Sequence, residues 1–292
     1  MTSRFYQIVI ALCVTLGVGC ATHPTTRTPP VPTPATTDSA STPAAVSTWT
    51  PRRAPGTWRY ELHTSATVSL RSDTSAAPVP IDTRSFYTLS VGPSDSGFML
   101  TGTVDSVVTH AGPRIPAPPP GTRFPMLFSA RLERSGLPGV IQSASPAPCR
   151  TGVAPMLAAA GGLLPMLPPT IQIGSNWQDT VVSVTCRGEI ALRTTTASRY
   201  RLTDTAIVQG RAALLVEQTF ETSTASDSAA ERQNGSVSIT GTGEGHRNLY
   251  LDPVTGALLQ EQGESKSVIT VRTRSSALPF QQMVKETVTL RP

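Results

Sequence analysis

The run Trp58-Arg59-Tyr60-Glu61-Leu62-His63-Thr64-Ser65-Ala66-Thr67-Val68-Ser69-Leu70 sets apolar side chains at Trp58, Tyr60, Leu62, Ala66, Val68 and Leu70 against polar ones at Arg59, Glu61, His63, Ser65, Thr67 and Ser69. A period of two sustained over thirteen residues marks a strand with one buried face, because successive side chains of an extended chain point to opposite sides. A strand of this length predicts a curved sheet.

Working outward, Tyr200, Leu202, Ala206 and Val208 lead into Gln209-Gly210, and Ala212, Leu214, Val216 and Phe220 lead away. This reads as a hairpin with a tight turn. Asp252-Pro253-Val254-Thr255-Gly256, between Leu249-Tyr250-Leu251 and Ala257-Leu258-Leu259, reads as a second hairpin with a bulge: Asp begins the turn, Pro presets φ and Gly takes the left-handed position. Further strands are predicted at Ser85–Val91, Phe98–Thr109, Phe128–Glu133, Trp177–Thr185, Glu189–Thr196, Ser236–Gly241, Ser267–Arg274 and Met283–Arg291. The fold class is therefore mainly β, a strongly curved antiparallel sheet, with about eleven to thirteen strands.

One segment breaks the alternation. Val153–Pro169, VAPMLAAAGGLLPMLPP, is apolar throughout, and a short helix is predicted near Ala154–Leu164. Gly161, Gly162, Pro165 and Pro168 interrupt it, and it is too short to cross a bilayer, which takes about 20 residues. Met156, Leu157, Leu163, Leu164, Met166 and Leu167 hold more apolar side chain than a surface loop tolerates. They either line a hollow that binds an apolar ligand such as a lipid chain, or plug the core themselves.

The N-terminus carries Arg4 and an apolar run of 11 residues, Ile8–Val18, which is a signal peptide rather than an anchor. Residues 20–51 are almost wholly Thr, Pro, Ala and Ser, a composition that cannot bury a core and favours an extended, disordered tether. The division is thus 1–19 signal peptide, 20–51 tether and 52–292 a single β-rich domain. The formal charge of +5 comes from 24 Lys and Arg against 19 Asp and Glu, with only Arg52-Arg53 adjacent among the arginines. Nucleic-acid binders gather basic residues into a stripe, so nucleic acid is not an expected partner.

Leu16-Gly17-Val18-Gly19-Cys20-Ala21 resembles the lipobox of bacterial lipoproteins, although Gly17 stands where that family usually has Leu. The resemblance implies a lipidated Cys20 as the mature N-terminus, membrane anchoring, and delivery to the periplasmic face of the outer membrane. Cleavage after Ala21, with simple secretion, also satisfies the small-residue rule. Farther along, Ile173-Gly174-Ser175-Asn176-Trp177, Val208-Gln209-Gly210-Arg211 and Asp252–Gly256 follow one another in the order G-x-x-W, V-x-G-R, D-x-x-T-G. That order is similar to envelope lipoproteins whose fold resembles the half-barrel of lipoprotein carriers (LolA/LolB-like). The resemblance implies a curved sheet around an apolar hollow and supplies no catalytic residue.

Enzymatic signatures are missing. The sequence has no H-E-x-x-H, G-x-S-x-G, G-x-x-x-x-G-K-[ST] or C-x-x-C. His23, His63, His110 and His246 are far apart, so no metal site is expected, and no cofactor is implied. Gly241-Thr242-Gly243-Glu244-Gly245 lacks a following helix to make a phosphate loop and reads as a flexible strand or bulge. Glu217 with Glu221, and Glu261 with Glu264, read as solvent-facing strand residues rather than acid–base couples. With Cys13 removed and Cys20 lipidated, Cys149 and Cys186, 37 positions apart (186 − 149), form an even pair in an oxidising compartment. A bridge between them is expected to stabilise the fold by about 4 kcal/mol; two buried free thiols are the alternative. A noncatalytic binding or carrier module and a structural envelope protein both fit, and an enzyme fits least.

Overall fold

The computed structural model describes residues 47–52, 55–71, 77–94, 97–111, 124–132, 142–143, 159–187, 190–226 and 237–292. In chain order the strands are β1 Thr48–Trp49, β2 Gly56–Leu70, β3 Val79–Ser94, β4 Gly97–Ala111, β5 Met126–Leu132, β6 Gln142–Ser143, β7 Ile171–Gln172, β8 Asn176–Arg187, β9 Ile190–Val208, β10 Arg211–Ser226, β11 Ser238–Leu251, β12 Leu258–Arg272 and β13 Ala277–Arg291. Eleven of them form one antiparallel sheet in the order β6-β5-β4-β3-β2-β13-β12-β11-β10-β9-β8, and β1 pairs with β7. The fold is thus mainly β, as expected, and among the described residues β6 and β8 do not pair, so the sheet stays open.

The architecture is two meanders, β2–β6 and β8–β13, joined where β2 pairs with β13 along Arg59–Leu70. In β2 the alternation operates as read: Tyr60, Leu62, Ala66 and Val68 are buried. One face of the sheet carries two apolar clusters at opposite ends of the strands. The larger includes Tyr60, Leu89, Leu100, Phe128, Leu202, Val216 and Leu251; the smaller includes Ala66, Ile81, Ile239, Ile269 and Phe280. The larger cluster runs along this face from β5 to β9, continuous through Tyr60 and Leu62 of β2 and Val288 and Leu290 of β13.

The connection from β6 to β8 leads from one edge of the sheet to the other. Within it, residues 159–162 form a helical turn, closed by Leu163 N–H to Ala160 C=O and Leu164 N–H to Gly161 C=O, both at 3.2 Å. The part of the predicted helix before Ala159 lies outside the described residues. Ala160, Leu163 and Leu164 belong to the larger cluster, with Leu167 packed against it.

Several boundaries differ from expectation. Order begins before residue 52, since Thr48 and Trp49 pair with Gln172 and Ile171 and Trp49 packs on the core. Glu189–Thr196 and the strand leading into Gln209 are one strand, β9. Of the two readings of Gly241–Gly245, strand or bulge, the strand holds: β11 runs through it in unbroken register with β12 as far as Tyr250. The glycines serve a different purpose. Gly245 lies directly opposite Phe220, and a Cβ there would come within 2.6 Å of the ring and 2.7 Å of the Glu264 carbonyl oxygen. Gly102 seats Phe128, its own cross-strand neighbour, in the same way, at 2.3 Å.

Both hairpin expectations hold. Gln209 and Gly210 have φ of 51° and 75°, and positive φ at both central residues is the type I′ requirement that matches strand twist. In the second turn the Asp252 carboxylate accepts from the N–H groups of Val254 (3.0 Å) and Thr255 (2.9 Å), Gly256 has φ of 67°, and the register shifts at Tyr250/Leu251.

Candidate functional site

Between the two apolar clusters the inner face is polar, and its centre is a buried charge cluster on three adjacent strands. Arg247 of β11 lies with Nε 3.1 Å from Glu261 Oε1 of β12 and Nη2 3.6 Å from Glu286 Oε1 of β13. The Glu261 side chain is 1% exposed, and its Oε1, although within ion-pair range, accepts no hydrogen bond. The expectation that Glu261 faces solvent beside Glu264 is therefore corrected: the two lie on opposite faces, Glu264 exposed and Glu261 buried. The period of two requires this, because residues three apart on a strand cannot share a side. Glu217 and Glu221 are exposed as read.

The guanidinium of Arg247 also sits 4.9 Å from the Phe220 ring centroid, a cation–π arrangement strengthened by desolvation, and its stem passes close over Gly263. Burial pushes Glu286 from 4.5 up to about 8, with Glu261 adding to the rise and Arg247 opposing it. Glu261 is raised by burial too, against the pull of Arg247. Burial works against the charge of Arg247, but the two carboxylates more than offset it. Burial thus favours a proton held within the hydrogen-bonded Glu261–Glu286 pair, while Arg247 favours a negative charge there.

From this centre the belt continues across the sheet. Gln218 Nε2 donates to Ser198 Oγ (3.0 Å) and Tyr200 Oη (3.3 Å), and the Tyr200 hydroxyl donates to Asp179 at 3.3 Å. Burial raises Asp179, against hydrogen bonds from Tyr200 and Ser198. Trp177 stacks on Tyr200 at 5.3 Å and donates from Nε1 to the Met166 carbonyl at 3.1 Å. Ring stacking followed by one hydrogen bond thus links Tyr200 to the segment that crosses between the sheet's edges.

On the opposite, outward face lies a groove of about 660 Å³ across β8–β13. Arg199, His246 and Glu264 stand in one cross-strand row of it, and Glu221, Glu244 and Lys266 in the next. Its lining mixes these charged side chains with apolar ones, Met283 and Phe220 among them. His246 is mid-strand in β11. His63 bonds Asp82 at 2.7 Å, and His110 is exposed near the end of β4. Among the described residues no three His, Cys, Asp or Glu are grouped to hold a metal ion.

Of the residues singled out in the sequence, Cys20, Cys149, Met156 and Leu157 lie outside the described residues. Cys186 is on β8 opposite Ala191. Leu163 and Leu164 are buried, and Met166 and Leu167 half-buried. The V-x-G-R and D-x-x-T-G motifs meet: Arg211 Nη2 bonds Asp252 Oδ2 at 2.6 Å. Burial opposes the Asp252 charge, but the N–H groups of Thr255 and Val254, together with Arg211, hold its carboxyl below the usual range. Leu167 packs on the same turn, since a Cβ at Gly256 would lie 2.6 Å from Leu167 Cδ1. These motif residues are a structural fastening of turn, hairpin and crossing segment.

No protein-family model matches the sequence, and no curated protein aligns with it. Similar solved structures include DynF from the dynemicin biosynthesis pathway of Micromonospora chersina, at 9% identity over 86% of this chain and 88% of that one, with a TM-score of 0.25. A DUF1329 family protein from Desulfovibrio piger is 8% identical over 80% and 85%, TM-score 0.15. The hypothetical lipoprotein YmcC from Escherichia coli is 9% identical over 76% and 85%, TM-score 0.17. At these scores the likenesses carry no conclusion about ligand or activity.

Proposed function

We propose that this chain is a noncatalytic scaffold of the bacterial cell envelope, lipid-anchored through Cys20 at the periplasmic face of the outer membrane and carried on a Pro-rich tether. The observation that supports a scaffold over a lipid carrier is the burial of Leu163 and Leu164, 2% and 5% exposed, among side chains from both halves of the sheet. A carrier needs an apolar hollow that opens to its ligand; here Leu163 and Leu164 of the apolar segment are part of the core.

Purified native protein is expected to carry no stoichiometric lipid beyond the acyl chains on Cys20, by extraction and mass spectrometry, and to take up no fluorescent fatty acid saturably. Saturable uptake abolished by Leu163→Ser with Leu164→Ser, in a variant that still folds, would overturn the scaffold reading in favour of the carrier. The anchor is checked separately. Processing is expected to be globomycin-sensitive, and Cys20→Ser to move the protein from the membrane to the soluble periplasmic fraction; a wild-type protein already soluble there would refute it.

A further inference from the structure

We infer that β8 is a homodimer edge, on which a second copy of this chain adds its own β8 in antiparallel pairing. The two ends of the sheet are built differently. At one end β5 spans seven residues and β6 two, and short edge strands are a common device against unwanted pairing. At the other end β8 runs for twelve residues, in unbroken register with β9. It has no proline, no lysine and no bulge, three further devices that close an edge. Among the described residues no strand pairs with its outer side. Val181 and Val182, adjacent and therefore on opposite faces, are 51% and 53% exposed, so neither face is covered at the middle of the strand.

The placing of charge selects the occupant. Asp179 and Arg187 are the only charged residues of β8, and between them lies a Thr-, Val- and Ser-rich run suited to a pleated surface. In-register parallel self-pairing would set like charge against like. Antiparallel pairing about Ser183 instead puts Asp179 of each copy at the register position of Arg187 of the other, twice by symmetry. Such an interface is isologous and closes as a two-fold dimer rather than growing into a fibre.

The two-fold axis passes through Ser183, so Ser183→Cys puts two thiols on directly opposite residues. Their Cα atoms would be about 4.5–5.5 Å apart, within the range a disulfide spans. In the full-length, detergent-solubilised protein, mild oxidation is expected to give several-fold more reducible dimer for S183C than for the unmodified chain. Ile207→Cys, an exposed position on β9 away from the edge, is expected to stay at background. Val182→Lys is expected to abolish the S183C cross-link and, in the otherwise unmodified chain, to convert a dimer into a monomer by light scattering. A monomeric unmodified chain, or S183C cross-linking no better than I207C, would overturn the inference. Cross-linking that persists in the presence of Val182→Lys would overturn it too. A cooperative melting transition with an unchanged far-UV spectrum shows that the Val182→Lys variant still folds, and its midpoint is expected to lose the concentration dependence that a dimer confers.

Discussion

Arg247→Met is expected to lower the free energy of unfolding at neutral pH by about 3–5 kcal/mol, the usual cost of removing one partner from a buried ion pair. It would be read as a shift of the urea midpoint at constant slope. The side chain is 11% exposed and stands between Glu261 and Glu286. Without it the carboxyl pair keeps its negative charge on side chains only 1% and 12% exposed, with no other ion-pair partner for either among the described residues. Exposed pairs such as Lys285–Glu264 are worth little by comparison. Replacing the whole cluster, with Glu261→Leu and Glu286→Leu added to Arg247→Met, is expected to recover most of the loss, because desolvation of the ions is then no longer required.

The same cluster sets a pH dependence. Glu286 titrates near 8 in the folded chain against an ordinary 4.5, so between those values the folded state holds a proton that the unfolded state has released. Stability from this group is complete below about pH 4.5 and falls as pH rises toward about 8, with a slope of up to about 1.4 kcal/mol per pH unit. Glu286→Gln keeps a neutral hydrogen-bonding side chain and is expected to flatten that decline. An unchanged decline in the variant would show that the proton lies elsewhere.

What the sequence made legible was local. The Gln209-Gly210 and Asp252–Gly256 turns are specified by residues within four positions of one another, and β2 by its own alternation. Pairing of β2 with β13 joins opposite ends of the chain, and nothing local marks it. The glycines of β11 left strand and bulge both open because Gly weakens a strand when judged alone; their use becomes visible only with Phe220 lying across Gly245. The charge cluster was readable in part. Arg247 shares parity with Leu249 and Leu251, Glu261 with Leu259 and Ile269, and Glu286 with Val284 and Val288, so each charge stands on the apolar face of its strand. Parity identifies them as inward, but only the register of β11–β13 brings the three together. Leu163 and Leu164 were identified as needing cover, while the choice between lid and plug depended on the path from one edge of the sheet to the other.

That path makes Leu163→Ala the other substitution with a large expected effect, a loss of about 2–5 kcal/mol as for a leucine truncated in a close-packed core. Leu163 is 2% exposed and shares its cluster with Tyr87 and Leu100 of one meander and Leu202 and Leu251 of the other. Its side chain fills space that neither half of an open sheet can collapse to fill, since among the described strands the two halves pair with each other only through β2 and β13. The cavity term should therefore place the cost toward the upper part of that range. Leu127→Ala, at a residue 64% exposed on β5, is expected to change stability by no more than about 0.5 kcal/mol. Because the plug belongs to the core of both meanders, near-UV and far-UV signals of Leu163→Ala are expected to fall together at one lowered midpoint. If the variant instead unfolded at the wild-type midpoint, the segment would be a detachable cover, and the interior beneath it would be open to a ligand.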